Sequence, residues 1–155
     1  MIYLYGAGGH AKVIADILES CGNPIAGIFD DNPSKTIRDF PNLKFPGPFV
    51  FSADKLILSI GNNSIRKKIS MQIAADYFTA IHPSAIISAH SHIDKGSVLM
   101  GGVLINADSK IGKHCIINSR ASIDHDCILE SFVHISPNAT LCGDVFVGEC
   151  SHIGA

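Results

Sequence analysis

The second half of the chain has a hydrophobic repeat with a period of six residues. A branched aliphatic residue occupies every sixth position, and a small or slim side chain follows each of the first twelve four residues later, from Ala85 to Ser151. The thirteen aliphatic residues are Ile81, Ile87, Ile93, Leu99, Ile105, Ile111, Ile117, Ile123, Leu129, Ile135, Leu141, Val147 and Ile153. This period matches neither the turn of an α-helix nor the alternation of an ordinary strand. It is typical of hexapeptide-repeat β-helices.

The repeat predicts a parallel β-helix for residues 81–155. Each hexad forms one short side of a triangular coil, so that three hexads, about 18 residues, complete a turn. Successive coils stack at about 4.8 Å, the spacing of hydrogen-bonded strands. The aliphatic residue points into the coil, and the small residue also faces inward near a corner. Residues 18 positions apart are therefore expected to stack, as in the column of Ile87, Ile105, Ile123 and Leu141.

Residues 1–80 follow a different pattern, which predicts an α/β domain. Its predicted elements are strands at 2–5, 24–29 and 56–60, helices at 12–20 and 64–73, and an irregular, proline-rich loop at 39–48. Ser64 is the predicted cap of the second helix. The order of strand, glycine-rich turn, helix, strand and acidic residue is typical of nucleotide-binding βαβ units.

The glycine-rich turn and two strand ends supply the candidate binding residues of this domain. Glycines let the backbone approach a diphosphate at a helix N-terminus, and an acidic residue after the second strand can accept hydrogen bonds from ribose or base. The candidates are Gly8, Gly9, His10, Asp30, Asp31, Gly61 and Asn62. About 80 residues are too few for a complete dinucleotide fold, so we expect a Rossmann-like half-domain for a nucleoside diphosphate that carries another group. A tight turn that binds nothing is the alternative.

Composition excludes several other classes of protein. The formal net charge is −2 without a basic run, so nucleic acid is not an expected partner. No apolar segment is long enough to span a membrane, and Met1 leads directly into the first strand, which predicts no signal peptide. Cys115 and Cys127 occupy inward hexad positions and are expected to be buried thiols of a cytoplasmic protein.

The chain stops inside a hexad, at Ile153, Gly154 and Ala155. An uncovered last coil would expose a parallel sheet edge. This predicts either a chain trimmed at its C-terminus or a partner that covers that end, and we favour trimming.

Three segments resemble a known enzyme family. They are YLYGAGGH at residues 3–10, SIGNNSIRKKI at 59–69 and IDHDC at 123–127. Together with the hexads, they resemble the bacterial acetyltransferases of sugar nucleotides and sialic acids. The likeness is nearest to UDP-4-amino-sugar N-acetyltransferases of the N-acetylbacillosamine type.

The resemblance implies a homotrimer of left-handed β-helices. In such enzymes acetyl-CoA lies in the groove between neighbouring β-helices, and the sugar nucleotide lies on the N-terminal domain. The family's basic histidine falls on His125, followed by an acid at Asp126, and a second family histidine falls on His134. Contacts to acetyl-CoA come from coils near Gly143.

The hexad position of His125 agrees with a role as a base. It is expected to point outward, between the minimal neighbours Ala107 and Gly143, and an imidazole titrates near cellular pH. Asp126 is our candidate for orienting its ring. Cys127 is expected to point inward and cannot be the nucleophile, and the histidine and cysteine spacings do not fit a zinc site. We expect His114, between Gly96 and Phe132, to be structural.

These observations predict an acetyl-CoA-dependent N-acetyltransferase that acts on the amino group of a nucleotide-linked sugar. His125 would remove the amine proton, and backbone N–H groups near Gly143 would stabilise the oxyanion. Two alternatives stay open: an O-acetyltransferase of sialic acid or a related sugar, and a non-catalytic sugar-nucleotide-binding or scaffold protein.

Overall fold

A computed structural model describes residues 1–32, 34–45 and 54–155 of the chain. The first part is a five-stranded parallel sheet with the strand order β3-β2-β1-β4-β5. Its elements are β1 (Ile2–Tyr5), α1 (Gly9–Ser20), β2 (Ile25–Phe29), β3 (Asn42–Leu43), β4 (Lys55–Leu58), α2 (Asn63–Gln72) and β5 (Asp76–Tyr77). The central strands β1 and β4 are almost entirely apolar, as expected of parallel strands that are covered on both faces.

Three details of the predicted α/β domain were wrong. Helix α1 begins at Gly9 rather than residue 12, because the glycine turn itself forms its first residues. Helix α2 is capped by Asn62 rather than Ser64: the Asn62 side chain accepts a hydrogen bond from the Ile65 amide at 3.0 Å. Strand β3 lies inside the segment predicted as the irregular loop 39–48, whose last three residues fall outside the described part of the chain.

The second part is a left-handed parallel β-helix, as predicted. Its thirteen two-residue strands run from β6 (Ala80–Ile81) to β18 (His152–Ile153). Those between them are β7 (Ile86–Ile87), β8 (His92–Ile93), β9 (Val98–Leu99), β10 (Leu104–Ile105), β11 (Lys110–Ile111), β12 (Ile116–Ile117), β13 (Ser122–Ile123), β14 (Ile128–Leu129), β15 (His134–Ile135), β16 (Thr140–Leu141) and β17 (Phe146–Val147). Paired residues are 18 positions apart, for example Ile105 and Ile123. The six-residue period thus predicted both the strands and their register.

The interior of the β-helix confirms the inward positions of the hexad. The aliphatic residues of the middle coils are buried, whereas Ile81, in the first coil, is 36% exposed. Cys115 and Cys127 are completely buried free thiols, as expected.

The fourth hexad position forms the corners, where the chain turns with a positive φ even at residues other than glycine. Stacking produces three corner columns, two of which concern the site. We call Gly96, His114, Phe132 and Cys150 the docking corner, and Asp108, Asp126 and Asp144 the acidic corner.

The α/β domain packs on one face of the β-helix. This docking face is the sheet β18-β15-β12-β9-β6, and its Val98 and Ile116 share a hydrophobic core with Leu4 and Ile14 of the α/β domain. The other two faces are the sheets β16-β13-β10-β7 and β17-β14-β11-β8. In chain order the acidic corner joins those two faces, so it is the edge of the prism opposite the docking face. Within the described ranges, no helix has the length and apolar character needed to cross a membrane.

Candidate active site

A cavity of about 430 Å³ lies at the carboxyl ends of β1, β2 and β4. Open α/β sheets bind ligands at this edge. Six of the seven predicted binding residues line it, namely Gly8, Gly9, His10, Asp30, Asp31 and Gly61. Asn62 does not, because its side chain caps α2. Most of the residues predicted from the sequence, which come from three separate turns, therefore meet in one cavity.

The glycine turn has one structural and two open positions. Gly6 has a φ of 109°, and a Cβ there would lie 2.9 Å from the Ile60 side chain, so that glycine is required for the close approach of β1 and β4. A Cβ at Gly8 or Gly9 would meet nothing within 4 Å. No side chain caps the start of α1 at Gly8, and an uncapped helix N-terminus attracts anions.

The two acidic residues brace this turn. Asp30 accepts hydrogen bonds from the backbone amides of Ala7, at 2.7 Å, and Asn32, at 2.8 Å. Asp31 accepts a hydrogen bond from the Tyr5 hydroxyl at 2.8 Å, and burial followed by this bond raises the pKa of Tyr5 to about 12. Carboxylate oxygens can accept more than one hydrogen bond, so both acids can contact a ligand while they hold the turn.

Two further side chains define the electrostatics of the cavity. The Nε2 atom of His10 is buried and has no hydrogen-bond partner among the described residues. Burial, assisted by the nearby charge of Arg66, lowers the pKa of His10 to about 4, so the ring is neutral at physiological pH. Lys35 also lines the cavity and is a cation that sequence reasoning missed. Its only signal was its place shortly after the acidic pair in the chain.

His125 lies beside the acidic corner, and its side chain is 60% exposed. Its Nδ1 atom is 2.7 Å from Oδ2 of Asp126, the residue predicted from the sequence to orient the His125 ring. A Cβ at Gly143 would lie 2.6 Å from the ring, so the imidazole rests directly on that glycine. The hydrogen bond to Asp126, and then the charge of Asp124, raises the pKa of His125.

His134 occupies a different part of the β-helix. It lies on the docking face, stacks on His152 with ring centroids 4.4 Å apart, and approaches Nδ2 of Asn118 at 3.1 Å. The backbone of Gly61 lies near the ring and acts to raise its pKa, against the larger effect of burial. Burial lowers the pKa of His134 to about 4. Within one chain, His134 is therefore next to the nucleotide-type cavity and not next to His125.

The structure places His114 between Gly96 and Phe132, as predicted. Its ring stacks on Phe132 with centroids 5.2 Å apart and lies where a Cβ of residue 96 would be. Among the described residues, no group of three or more histidine, cysteine, aspartate or glutamate side chains could hold a metal ion.

Comparison with known proteins reveals the family. Residues 1–73 match the PglD N-terminal domain. A histidine-to-asparagine mutant of perosamine N-acetyltransferase from Caulobacter crescentus, solved in complex with CoA and GDP-perosamine, is 33% identical, with a TM-score of 0.89 over 99% of this chain and 77% of that chain. The acetyltransferase domain of PglB from Neisseria gonorrhoeae FA1090, in complex with acetyl coenzyme A, is also 33% identical, with a TM-score of 0.90 over 99% of this chain and 78% of that chain.

A curated relative agrees with the structural matches. The UDP-N-acetylbacillosamine N-acetyltransferase of Bacillus subtilis is 38% identical over 113 residues, which cover 64% of this chain. This chain spans half or less of the length of the curated relatives that it matches. The N-terminal domain, the hexapeptide β-helix and the similarity along 99% of the chain lead to one conclusion: the chain belongs to the family of sugar-nucleotide acetyltransferases.

Proposed function

We propose that the protein transfers an acetyl group from acetyl-CoA to the amino group of a nucleotide-linked amino sugar. The observation that carries this proposal is the exposed His125–Asp126 pair, whose imidazole ring rests on Gly143 of the hexapeptide β-helix. The α/β domain of the same chain holds a cavity with the glycine turn and acidic residues typical of nucleotide binding. The relatives that contain CoA together with GDP-perosamine, or acetyl coenzyme A, support the choice of both substrates.

The residues present can perform the transfer by general-base catalysis. The sugar amine attacks the thioester carbonyl carbon, and the neutral His125 ring takes the proton that the nitrogen loses. Asp126 holds the ring through Nδ1, which leaves Nε2 to accept that proton. The C–S bond then breaks, and the amide remains on the sugar. CoA leaves as a thiolate, which takes up the proton that His125 had accepted. The backbone near Gly143 is our candidate for contacting the oxyanion and acetyl-CoA.

The acidic partner leads to a prediction about pH. His125 acts as a base only when neutral, so kcat/KM is expected to fall as the pH decreases through its raised pKa. Changing Asp126→Asn removes the largest cause of that increase. We expect the acidic limb of the pH profile to move to lower pH and the plateau rate to decrease. Profiles of kcat/KM against pH for both proteins, from roughly pH 5 to 9 so that the ordinary histidine pKa is bracketed, measure the shift of the acidic limb. An unchanged acidic limb would show that another group controls it.

We further infer a homotrimer in which each site combines two protomers. All residues that line the cavity belong to the α/β domain, which covers the docking face, whereas His125 lies at the opposite edge of the prism. A sugar held in the cavity therefore needs the His125 of another copy. Ile86, Ile128 and Phe146 are exposed on the two faces that meet at the acidic corner, which supplies apolar surface for such packing. His134, which lies on the docking face, is our candidate for contacting acetyl-CoA where the cavity of one copy meets the His125 of another.

Mixed assemblies test the shared site. Gly9→Glu places a carboxylate in open space at the start of α1, where it should repel a diphosphate without disturbing the fold. We expect this variant and His125→Ala each to be inactive alone. A ring that contains both variants has one interface with an intact cavity and an intact base, so co-purified mixed trimers should recover about one third of wild-type activity.

Two results would oppose the shared site. Mixed assemblies that stay inactive would place cavity and base in one chain, and an active monomer in sedimentation would remove the trimer. Gly9→Ala is the matched control, because it fills the same open space without a charge and should retain sugar-nucleotide binding.

The reaction itself is tested by offering the full-length protein UDP-, GDP- and dTDP-linked amino sugars with acetyl-CoA. Release of CoA and formation of a sugar amide are expected. Acetylation of sialic acid or of a sugar hydroxyl instead would favour the O-acetyltransferase alternative, and binding without turnover would favour the non-catalytic one. Acetyl-CoA and sugar nucleotides are cytoplasmic metabolites, and the buried free thiols agree with a cytoplasmic location, which we propose for the protein.

A further inference from the structure

Arg66 is a buried charge at the junction of the two domains. Its side chain is 1% exposed, and it lies in the first turn of α2. Its Nε donates to the His114 carbonyl at 2.8 Å, and Nη2 donates to the Phe132 carbonyl at 3.0 Å and to Oδ1 of Asn63 at 2.8 Å. Its Nη1 donates to the carbonyls of Ile60 and Gly61 at 2.9 and 3.2 Å. All five guanidinium N–H groups are thereby used.

This arrangement excludes a direct role of Arg66 in ligand binding. No N–H group is left for a phosphate. Every acceptor is neutral, and a buried cation without a carboxylate is energetically expensive. Burial lowers the pKa of Arg66 to about 10, so it stays charged at neutral pH. A hydrophobic core already attaches the two domains, so docking alone does not require this charge.

Asn63 extends the same contact along the β-helix. Its Nδ2 donates to the carbonyls of Cys150 and Ser151, each at 3.0 Å. Together, the two side chains hold the carbonyls of His114, Phe132 and Cys150, which are successive members of the docking corner, 18 residues apart. One turn of α2 is therefore fixed to three successive coils.

The turn between β4 and α2, which Arg66 contacts, also forms part of the cavity wall. Ile60 and Gly61, whose carbonyls accept hydrogen bonds from Arg66, line the cavity. The position of the β4–α2 turn relative to the β-helix is thus set by Arg66 and Asn63. The hydrophobic core around Val98 and Ile116 does not reach that turn.

We propose that Arg66 and Asn63 are positioning residues that set where the cavity presents its ligand relative to the transfer base. The inference rests on the proposed function, because it concerns how the bound amino sugar reaches His125. Since a misplacement of about 1 Å can cost roughly 100-fold in rate, a turn held by seven hydrogen bonds has a direct effect on catalysis.

Asn63→Asp is the most informative variant. It retains an oxygen for Arg66 and a good residue for the start of a helix, but it replaces the two donations to Cys150 and Ser151 by repulsion between oxygen atoms. We expect kcat to fall by about 10- to 100-fold while the Kd of the sugar nucleotide, measured by calorimetry, changes less than about threefold. Arg66→Lys should give the same division between kcat and Kd. A merely structural role would lower kcat and the calorimetric binding stoichiometry together, in proportion to the folded fraction, and that result, or an unchanged kcat, would overturn the proposal.

Lys67→Ala is the matched control. Lys67 follows Arg66 on α2 and also reaches the β-helix, through an ion pair with Glu149 at 2.5 Å, but this pair is exposed and does not line the cavity. Its loss should leave kcat within about twofold.

A second measurement separates this proposal from the proposed function. Hydrogen exchange of the amides of residues 60–63 should become at least several-fold faster in Asn63→Asp, while exchange in α1 stays unchanged. If wild-type protein acetylates no amino sugar, the proposed function fails, and the exchange result still decides whether the pair holds the turn. Unchanged exchange at residues 60–63 would overturn the positioning role.

Discussion

His125→Ala is expected to lower kcat by about 10²–10⁴-fold, the usual consequence of losing a general base. The amine must lose a proton as it attacks, and the His125 ring is the exposed imidazole that a carboxylate orients beside the acidic corner. The Kd of the sugar nucleotide should stay nearly unchanged, because the residues that line the cavity belong to the α/β domain and do not include His125. Steady-state kinetics and calorimetry on the same preparation measure both.

His90→Ala is the control for this prediction. His90 is also exposed and lies two coils away in the column of Asp126. It does not touch Gly143, and within the described part of the chain it forms no ion pair with an aspartate. Its replacement should leave kcat within about twofold, as for most surface substitutions. If His125→Ala retains near-normal turnover, the base is another residue.

Gly96→Ala is expected to destabilise the protein by about 2–4 kcal/mol. Gly96 has a φ of 76°, which costs an alanine about 1 kcal/mol, and the new Cβ would lie 2.4 Å from the His114 ring. That ring is held between Gly96, Phe132 and Tyr77, so overpacking should add about 1–3 kcal/mol. Urea unfolding of both proteins gives the difference.

A double-mutant cycle with His114→Ala separates the two costs. Without the ring, Gly96→Ala should cost only the backbone term of about 1 kcal/mol. Gly102→Ala provides a second comparison, because Gly102 has a similar φ of 72° but faces the side chain of Arg120, which is exposed and can move. Additive effects of Gly96→Ala and His114→Ala would show that the ring is not confined as described.

The fold could be predicted largely because its period is encoded residue by residue. The pattern within each hexad indicates which side chains point inward. The offset of 18 residues between paired strands follows from three hexads per coil, so no contact between distant parts of the chain had to be known. The errors lie where the local signal is weak or ambiguous. Strands β3 and β5 have two residues each, too few to show any alternation. Asn62 and Ser64 are both good caps, and only the three-dimensional path of the turn decides between them.

The candidate site was predictable where the hexad repeat or the βαβ order places its residues, and not where other tertiary contacts decide. His125, Asp126 and Gly143 follow from hexad arithmetic, and Gly8, Gly9 and Asp30 follow from the βαβ order. Arg66 could not be interpreted correctly in this way. An arginine in a basic segment suggests an exposed helix face or a ligand contact, and its burial depends on carbonyls 48 and 66 residues further along the chain.

In the proposed function, recognition and chemistry lie at opposite sides of one prism, and this has an evolutionary consequence. The residues proposed to select the nucleotide and the sugar lie in a separate α/β domain, and the edge that carries His125 contains none of them. Mutations can therefore explore new glycan building blocks without passing through variants that have lost the transfer reaction. In the proposed trimer, every site needs two protomers, so a change that loosens protomer packing would inactivate all three sites at once.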